Sequence, residues 1–179
     1  MLLISITISA LAADTGGPHP AAARAPTASK FDAQWRGLVG DWTGESSGEP
    51  GAGPATTSFK FELQDQILVR RDHNDFAAAN GRPAFVHEGL MVIYPAAEAG
   101  QSRAVYFDSE GHVIEYTAAW SAAGDTLTFT SKPHPGAPLF RLGYKKLDAR
   151  TFSVSFDIAP PTQPTVFKTH VAGWMKRKA

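Results

Sequence analysis

The chain has 179 residues, no cysteine, and 17 basic residues against 17 acidic ones, for a formal net charge of zero. That length suits a single core, and the balance of charge offers no electrostatic footprint for nucleic acid. Without cysteine there are no disulfides, no thiolate metal sites, no covalent c-type haem attachment and no lipidated N-terminal cysteine. Stability must come from packing. The Lys176-Arg177-Lys178 tail is basic but short, and reads as a solvated end.

Met1 to Ala12 form an uncharged apolar run ending in Ala10-Leu11-Ala12, the small-x-small pattern accepted by signal peptidase. The run is shorter than the roughly 20 apolar residues that cross a bilayer, and no Lys or Arg precedes it. The expectation is a signal peptide over 1–12 and a periplasmic or secreted mature protein beginning near Ala13. Residues 13–28 are rich in Ala, Pro, Gly and Thr, the composition of a flexible linker. The folded domain is expected over 29–179.

Ser29 is suited to cap a short helix with Asp32 in its first turn, placing Phe31, Trp35 and Leu38 on one face. After Gly40 the apolar period falls to two. Residues 57–63 place Phe59, Phe61 and Leu63 on one face, residues 126–130 alternate around Leu127 and Phe129, and residues 151–158 around Phe152, Val154, Phe156 and Ile158. Less regular extended runs cover 41–46, 66–76, 84–94, 102–108, 112–120, 138–147 and 165–176, making ten strands. Asn80-Gly81-Arg82-Pro83, Ser109-Glu110-Gly111, Ala123-Gly124-Asp125 and Leu147-Asp148-Ala149 are short breaks with turn chemistry. Short connections force antiparallel neighbours. The expected fold is all-β, an antiparallel up-and-down barrel of about ten strands, closed so that no long edge stays exposed. A two-sheet sandwich is the alternative.

Leu38-Val39-Gly40-Asp41-Trp42-Thr43-Gly44-Glu45 resembles the Gly-x-Trp opening of the calycin superfamily, the lipocalins and fatty-acid-binding proteins. In that resemblance Trp42 plugs the closed end of a barrel. Residues from about Phe31 onward are similar to a family of exported bacterial lipocalin-like domains, for which no reaction carries over. The stretches concerned are Leu68 to His73, His87 to Tyr94, Tyr106 to Tyr116 and Ile158 to Pro161. Gly40-x-Trp42-x-Gly44 with a late histidine is also similar, more distantly, to the nitrobindin haem-binding barrels, which implies His170 as a haem ligand. Alternation with Phe167, Val171 and Met175 sets His170 on the opposite face from those apolar residues, and Ser46 stands where that pattern has a further glycine.

The informative residue in a barrel is a polar one on an otherwise apolar face. By parity, Arg71 and His73 share a face with Ile67 and Val69, Glu88 with Val86, Leu90 and Val92, and His112 and Tyr116 with Ile114. Tyr106 is added although Val105 and Phe107 compete for the interior of its strand. The expected ligand-binding set is therefore Arg71, His73, Glu88, Tyr106, His112 and Tyr116, with Arg71 and Glu88 as a pair. The same residues serve equally as a structural ion pair that fixes register.

No Gly-x-Ser-x-Gly elbow, His-Glu-x-x-His or phosphate-binding loop occurs. His87 and Glu88 point to opposite faces of a strand, and the six histidines lack i, i+2 pairing, so no metal site and no catalytic residue is expected. The expected function is non-enzymatic binding of a small apolar or amphipathic molecule, without cofactor. The alternatives are haem binding through His170, or a cofactor-free isomerase or cyclase in which His73 or Glu88 moves a proton and Tyr116 polarises a carbonyl.

Overall fold

Closure removes the unpaired edges that a run of two-faced strands joined by short turns would otherwise expose. The computed structural model, which describes residues 31–97 and 101–179, shows that closure. Ten strands follow in order: β1 (Gly40–Gly48), β2 (Gly53–Glu62), β3 (Ile67–Phe76), β4 (Phe85–Pro95), β5 (Ser102–Asp108), β6 (Val113–Trp120), β7 (Thr126–Ser131), β8 (Leu139–Lys146), β9 (Thr151–Ala159) and β10 (Lys168–Arg177). Each pairs antiparallel with the next, and β1 pairs with β10 to close an up-and-down barrel. A sandwich is set aside. The expected signal peptide, the linker and Ser29 lie outside the described residues.

Strand bounds follow the sequence reading closely except at the β1–β2 hairpin. There Gly53 and Pro54 pair with Ser46 and Glu45, and Ser47 and Gly48 continue β1 along β10, residues that show no apolar period. The helix is also shorter than expected. Helix α1 (Ala33–Arg36) is a single turn capped by Asp32, whose carboxylate accepts from the backbone N–H of Gln34 at 2.9 Å and Trp35 at 3.3 Å. Asp32, not Ser29, is the cap, a role in which a short acidic side chain satisfies otherwise orphaned N–H groups.

That turn closes one end of the barrel. Phe31, Trp35 and Leu38 are all buried, and Trp35 sits edge-on to Trp120 at 5.9 Å and Phe129 at 6.3 Å. Trp42 is fully buried beneath it, donating from Nε1 to the Leu38 carbonyl at 2.8 Å and packing edge-on to Phe152. The Arg177 guanidinium lies 4.3 Å from the Trp42 ring and donates to the Val39 and Gly37 carbonyls, tying the last strand to the first. Gly44 completes the motif. A Cβ there would stand 1.8 Å from the Trp174 carbonyl oxygen, so only glycine lets β1 and β10 pair this closely.

At the other end the barrel is open, ringed by the β1–β2, β3–β4, β5–β6, β7–β8 and β9–β10 connections. No helix among the described residues is long and apolar enough to cross a membrane.

Candidate functional site

Register decides which residues look inward. The turn Leu63-Gln64-Asp65-Gln66, with three residues at positive φ, pairs Glu62 with Ile67 and so sets Phe59 opposite Arg70. On its other side Arg70 faces Met91. Phe59 and Met91 are buried core residues, so Arg70 and Asp72 point inward with Leu68 and Phe76, while Arg71 and His73 point out. On β4 the same register turns Phe85, His87, Gly89, Met91 and Ile93 inward and Glu88 outward.

The expected convergence of six polar residues on one interior cavity is therefore corrected. Arg71, His73 and Glu88 do come together, but on the outer wall, where they line a groove of about 570 Å³ with Thr56, Ser58 and Phe107. His73 Nδ1 lies 3.5 Å from Glu88 and its Nε2 lies 3.3 Å from Asp75, all three half-exposed or more. Arg71 stands opposite Leu90 and not opposite Glu88. Tyr106 and Tyr116 are interior and buried. His112 is at the open mouth, 63% exposed, with Nδ1 2.9 Å from Asp108. The barrel wall thus separates His73 and Glu88 from Tyr116, and the acid–base trio of the isomerase reading does not assemble.

The interior cavity itself holds about 520 Å³ and opens at the mouth. Much of its wall is apolar, with Phe76, Phe85, Ile114, Val154, Phe156 and Ile158. Its depth is polar. Arg70 meets Asp72 at 3.0 Å, both nearly out of solvent, and its guanidinium lies 5.9 Å from the Tyr144 ring. Arg70 Nε is buried without a hydrogen-bond partner among the described residues, and the Tyr144 hydroxyl is buried beside the Arg70 guanidinium. Asp72 Oδ1, though close to Arg70, makes no well-aligned hydrogen bond.

Burial is the leading influence on these groups. It pushes the phenols of Tyr106 and Tyr116 well above their ordinary value, and that of Tyr144 up to about 12. For Arg70, burial opposes the charged form, but Asp72 and then the three phenols outweigh it, so the guanidinium holds its proton more tightly than usual.

Solved structures share this architecture. The crystal structure of Rv2717c from M. tuberculosis matches with a TM-score of 0.61 at 16% identity, covering 83% of this chain and 99% of that one. The S-type phycobiliprotein lyase CPES from Guillardia theta matches with a TM-score of 0.57 at 8% identity, over 81% and 90%. The closed ten-stranded barrel fits a lipocalin-like fold. At such identities the likeness is one of fold. No protein-family model matches the chain, and no curated protein does.

Above the deep pair, the barrel carries a second polar group that sequence reasoning missed. His87 Nε2 lies 2.8 Å from the Tyr106 hydroxyl and 3.9 Å from Asp72, while its Nδ1 lies 2.9 Å from Glu110. Asp108 accepts from the backbone N–H of Glu110 at 3.0 Å and of His112 at 2.9 Å. The signal for Arg70 and Asp72 lies in the hairpin count across Leu63 to Gln66, which fixes parity where alternation alone does not, whereas the facing of His87 depends on the longer β3–β4 connection.

His170 was misplaced for a different reason. The β9–β10 register slips between Thr169 and Val171, a bulge that Thr169 pins by donating to Asp157 at 2.8 Å. A bulge breaks strict alternation. His170 consequently lines the cavity beside Val171, its ring 6.4 Å from Phe156 and its Nδ1 2.9 Å from Glu49.

Proposed function

We propose that the barrel binds a small, partly apolar molecule in its open-ended interior, as a non-enzymatic binder or carrier working in the periplasm or after secretion. The cavity carries this reading. Its volume of about 520 Å³ lies in the range of small-molecule pockets, and apolar walls over a few fixed polar groups are what such pockets present. Leaving Arg70 Nε buried without a partner among the described residues costs on the order of 1–3 kcal/mol. A ligand oxygen at the bottom of the cavity would recover that cost.

Titration with the neutral apolar dye Nile red tests the proposal, because its fluorescence rises on leaving water. Saturable binding is expected, lost in Val154→Trp, which fills the cavity from the half-buried wall. Equal binding by the variant, with unchanged circular dichroism, would rule the interior out. Native mass spectrometry of protein purified from its own host then reports the resident ligand.

A second reading, haem ligation, is supported by the bulge that turns His170 to the cavity. Glu49 holds Nδ1, which leaves Nε2 as the ligating nitrogen, and a carboxylate on the far ring nitrogen is the usual support for a ligating imidazole. Phe140 and Phe156, stacked at 5.7 Å, supply an apolar wall nearby. Hemin titration distinguishes the readings. A Soret band that His170→Ala removes supports haem, and one that survives the variant counts against this residue as ligand.

A further inference from the structure

We propose that His87, Asp108 and Glu110 form a binding site for a divalent first-row transition ion at the mouth of the barrel, with His112 as an additional ligand. This goes beyond the cavity reading and does not depend on it. One donor atom from each of the three residues lies within 4.8 Å of the others. Around an ion with bonds of about 2.0–2.2 Å in tetrahedral geometry, donors stand roughly 3.4 Å apart, so rotation of Glu110 in its exposed turn is needed to close the set. Two imidazoles with two carboxylates suit zinc and its neighbours better than calcium or magnesium, which prefer oxygen throughout.

Two further observations point to a cation here. Among the side chains turned into the cavity, the carboxylates of Asp72, Asp108 and Glu110 outnumber the one buried guanidinium, Arg70. A divalent ion at the mouth would neutralise that excess of carboxylates. The ligands are also held from behind. Tyr106, buried in the core, sits 2.8 Å from His87 Nε2 and leaves Nδ1 turned toward Glu110 at the mouth. Backbone N–H groups of Glu110 and His112 orient Asp108, whose side chain is only 5% exposed. Fixed outer partners of this kind are what ligating histidines and carboxylates use.

The turn supplies the rest. Asp108-Ser109-Glu110-Gly111-His112 brings three donors together on one tight connection, and β4 delivers His87 from the neighbouring strand. The ion would stand beside the path into the cavity, with its remaining positions open to water or to an entering polar group.

The test uses full-length protein stripped with EDTA and titrated with zinc chloride by calorimetry, then with cobalt chloride by visible absorption. The expected result is one Zn²⁺ per chain, weakened at least about 10-fold by His87→Gln and by Glu110→Gln, with a cobalt spectrum that both variants lose. Glu110 is half-exposed in a turn, so its variant keeps the fold, which circular dichroism verifies. His73→Ala, on the outer wall, should leave affinity unchanged. The proposal is overturned if no saturable one-to-one binding occurs, if Glu110→Gln binds as tightly as the parent protein, or if His73→Ala is the variant that removes it.

Discussion

Arg70 and Asp72 lie two residues apart on β3 and meet inside the barrel, guanidinium to carboxylate, at 3.0 Å. Both are nearly inaccessible to water, so each depends on the other to offset its own desolvation. Asp72→Ala leaves the guanidinium unpaired and should destabilise by about 3–5 kcal/mol, read from urea denaturation. Replacing both together, Arg70→Met with Asp72→Leu, should cost far less or stabilise, because an apolar pair of similar volume has no charge to desolvate. A double variant as unstable as Asp72→Ala would show that packing, not charge, is what the pair supplies.

Much of this fold was legible in the chain and much of the site was not, for one physical reason. Strand existence depends on local alternation and turn chemistry, and these are clear at Phe59, Leu127 and Phe152. Facing depends on register, which is non-local. On β3 the sequence Ile67-Leu68-Val69 offers apolar residues in both parities, as does Leu90-Met91-Val92-Ile93 on β4. Assigning Arg71 and Glu88 to the interior was therefore one residue out, and one residue inverts a face. Tyr106 and Tyr116 sit on strands whose inward neighbours Ala104 and Ala118 are small and buried, and they do face inward. His170 needed a bulge that no alternating pattern announces.

Glu88 gives the complementary prediction. Its side chain is 70% exposed on the outer wall, with His73 beside it. Glu88→Ala should shift stability by no more than about 0.5 kcal/mol, as exposed pairs contribute little. It should leave Nile red binding unchanged. A loss of several kcal/mol in urea denaturation would put the residue inside the wall after all.

The three interior phenols make stability sensitive to base. Burial raises Tyr106, Tyr116 and Tyr144 above the ordinary phenol value of about 10, the last to about 12. Each folded-state value exceeds its unfolded one, so the associated stability is whole below about pH 10. It falls as pH rises toward about 12, where the unfolded chain has lost protons that the folded chain keeps. In a Tyr94→Phe variant, which leaves these three alone, tyrosinate absorbance should rise late and together with unfolding. A full tyrosinate signal near pH 10 with native circular dichroism would contradict the burial.

Gly89 links the deep pair to the mouth. It lies between Asp72 on β3 and Asp108 on β5, and a Cβ there would stand 2.7 Å from both Asp72 carboxylate oxygens and 2.8 Å from the Tyr106 ring. The carboxylate is held by Arg70 and the ring is packed in the core, so neither can move aside cheaply. Gly89→Ala should cost about 1–3 kcal/mol, the usual cost of overpacking. Part of that cost is collision with Asp72 and should vanish in an Asp72→Ala background, where only the Tyr106 contact remains. A double-mutant cycle in urea should return a coupling of at least about 0.5 kcal/mol, the size expected of residues in contact. Simple additivity would mean that the carboxylate does not occupy the space over Gly89, and that Asp72 is not held beside His87 by the missing side chain.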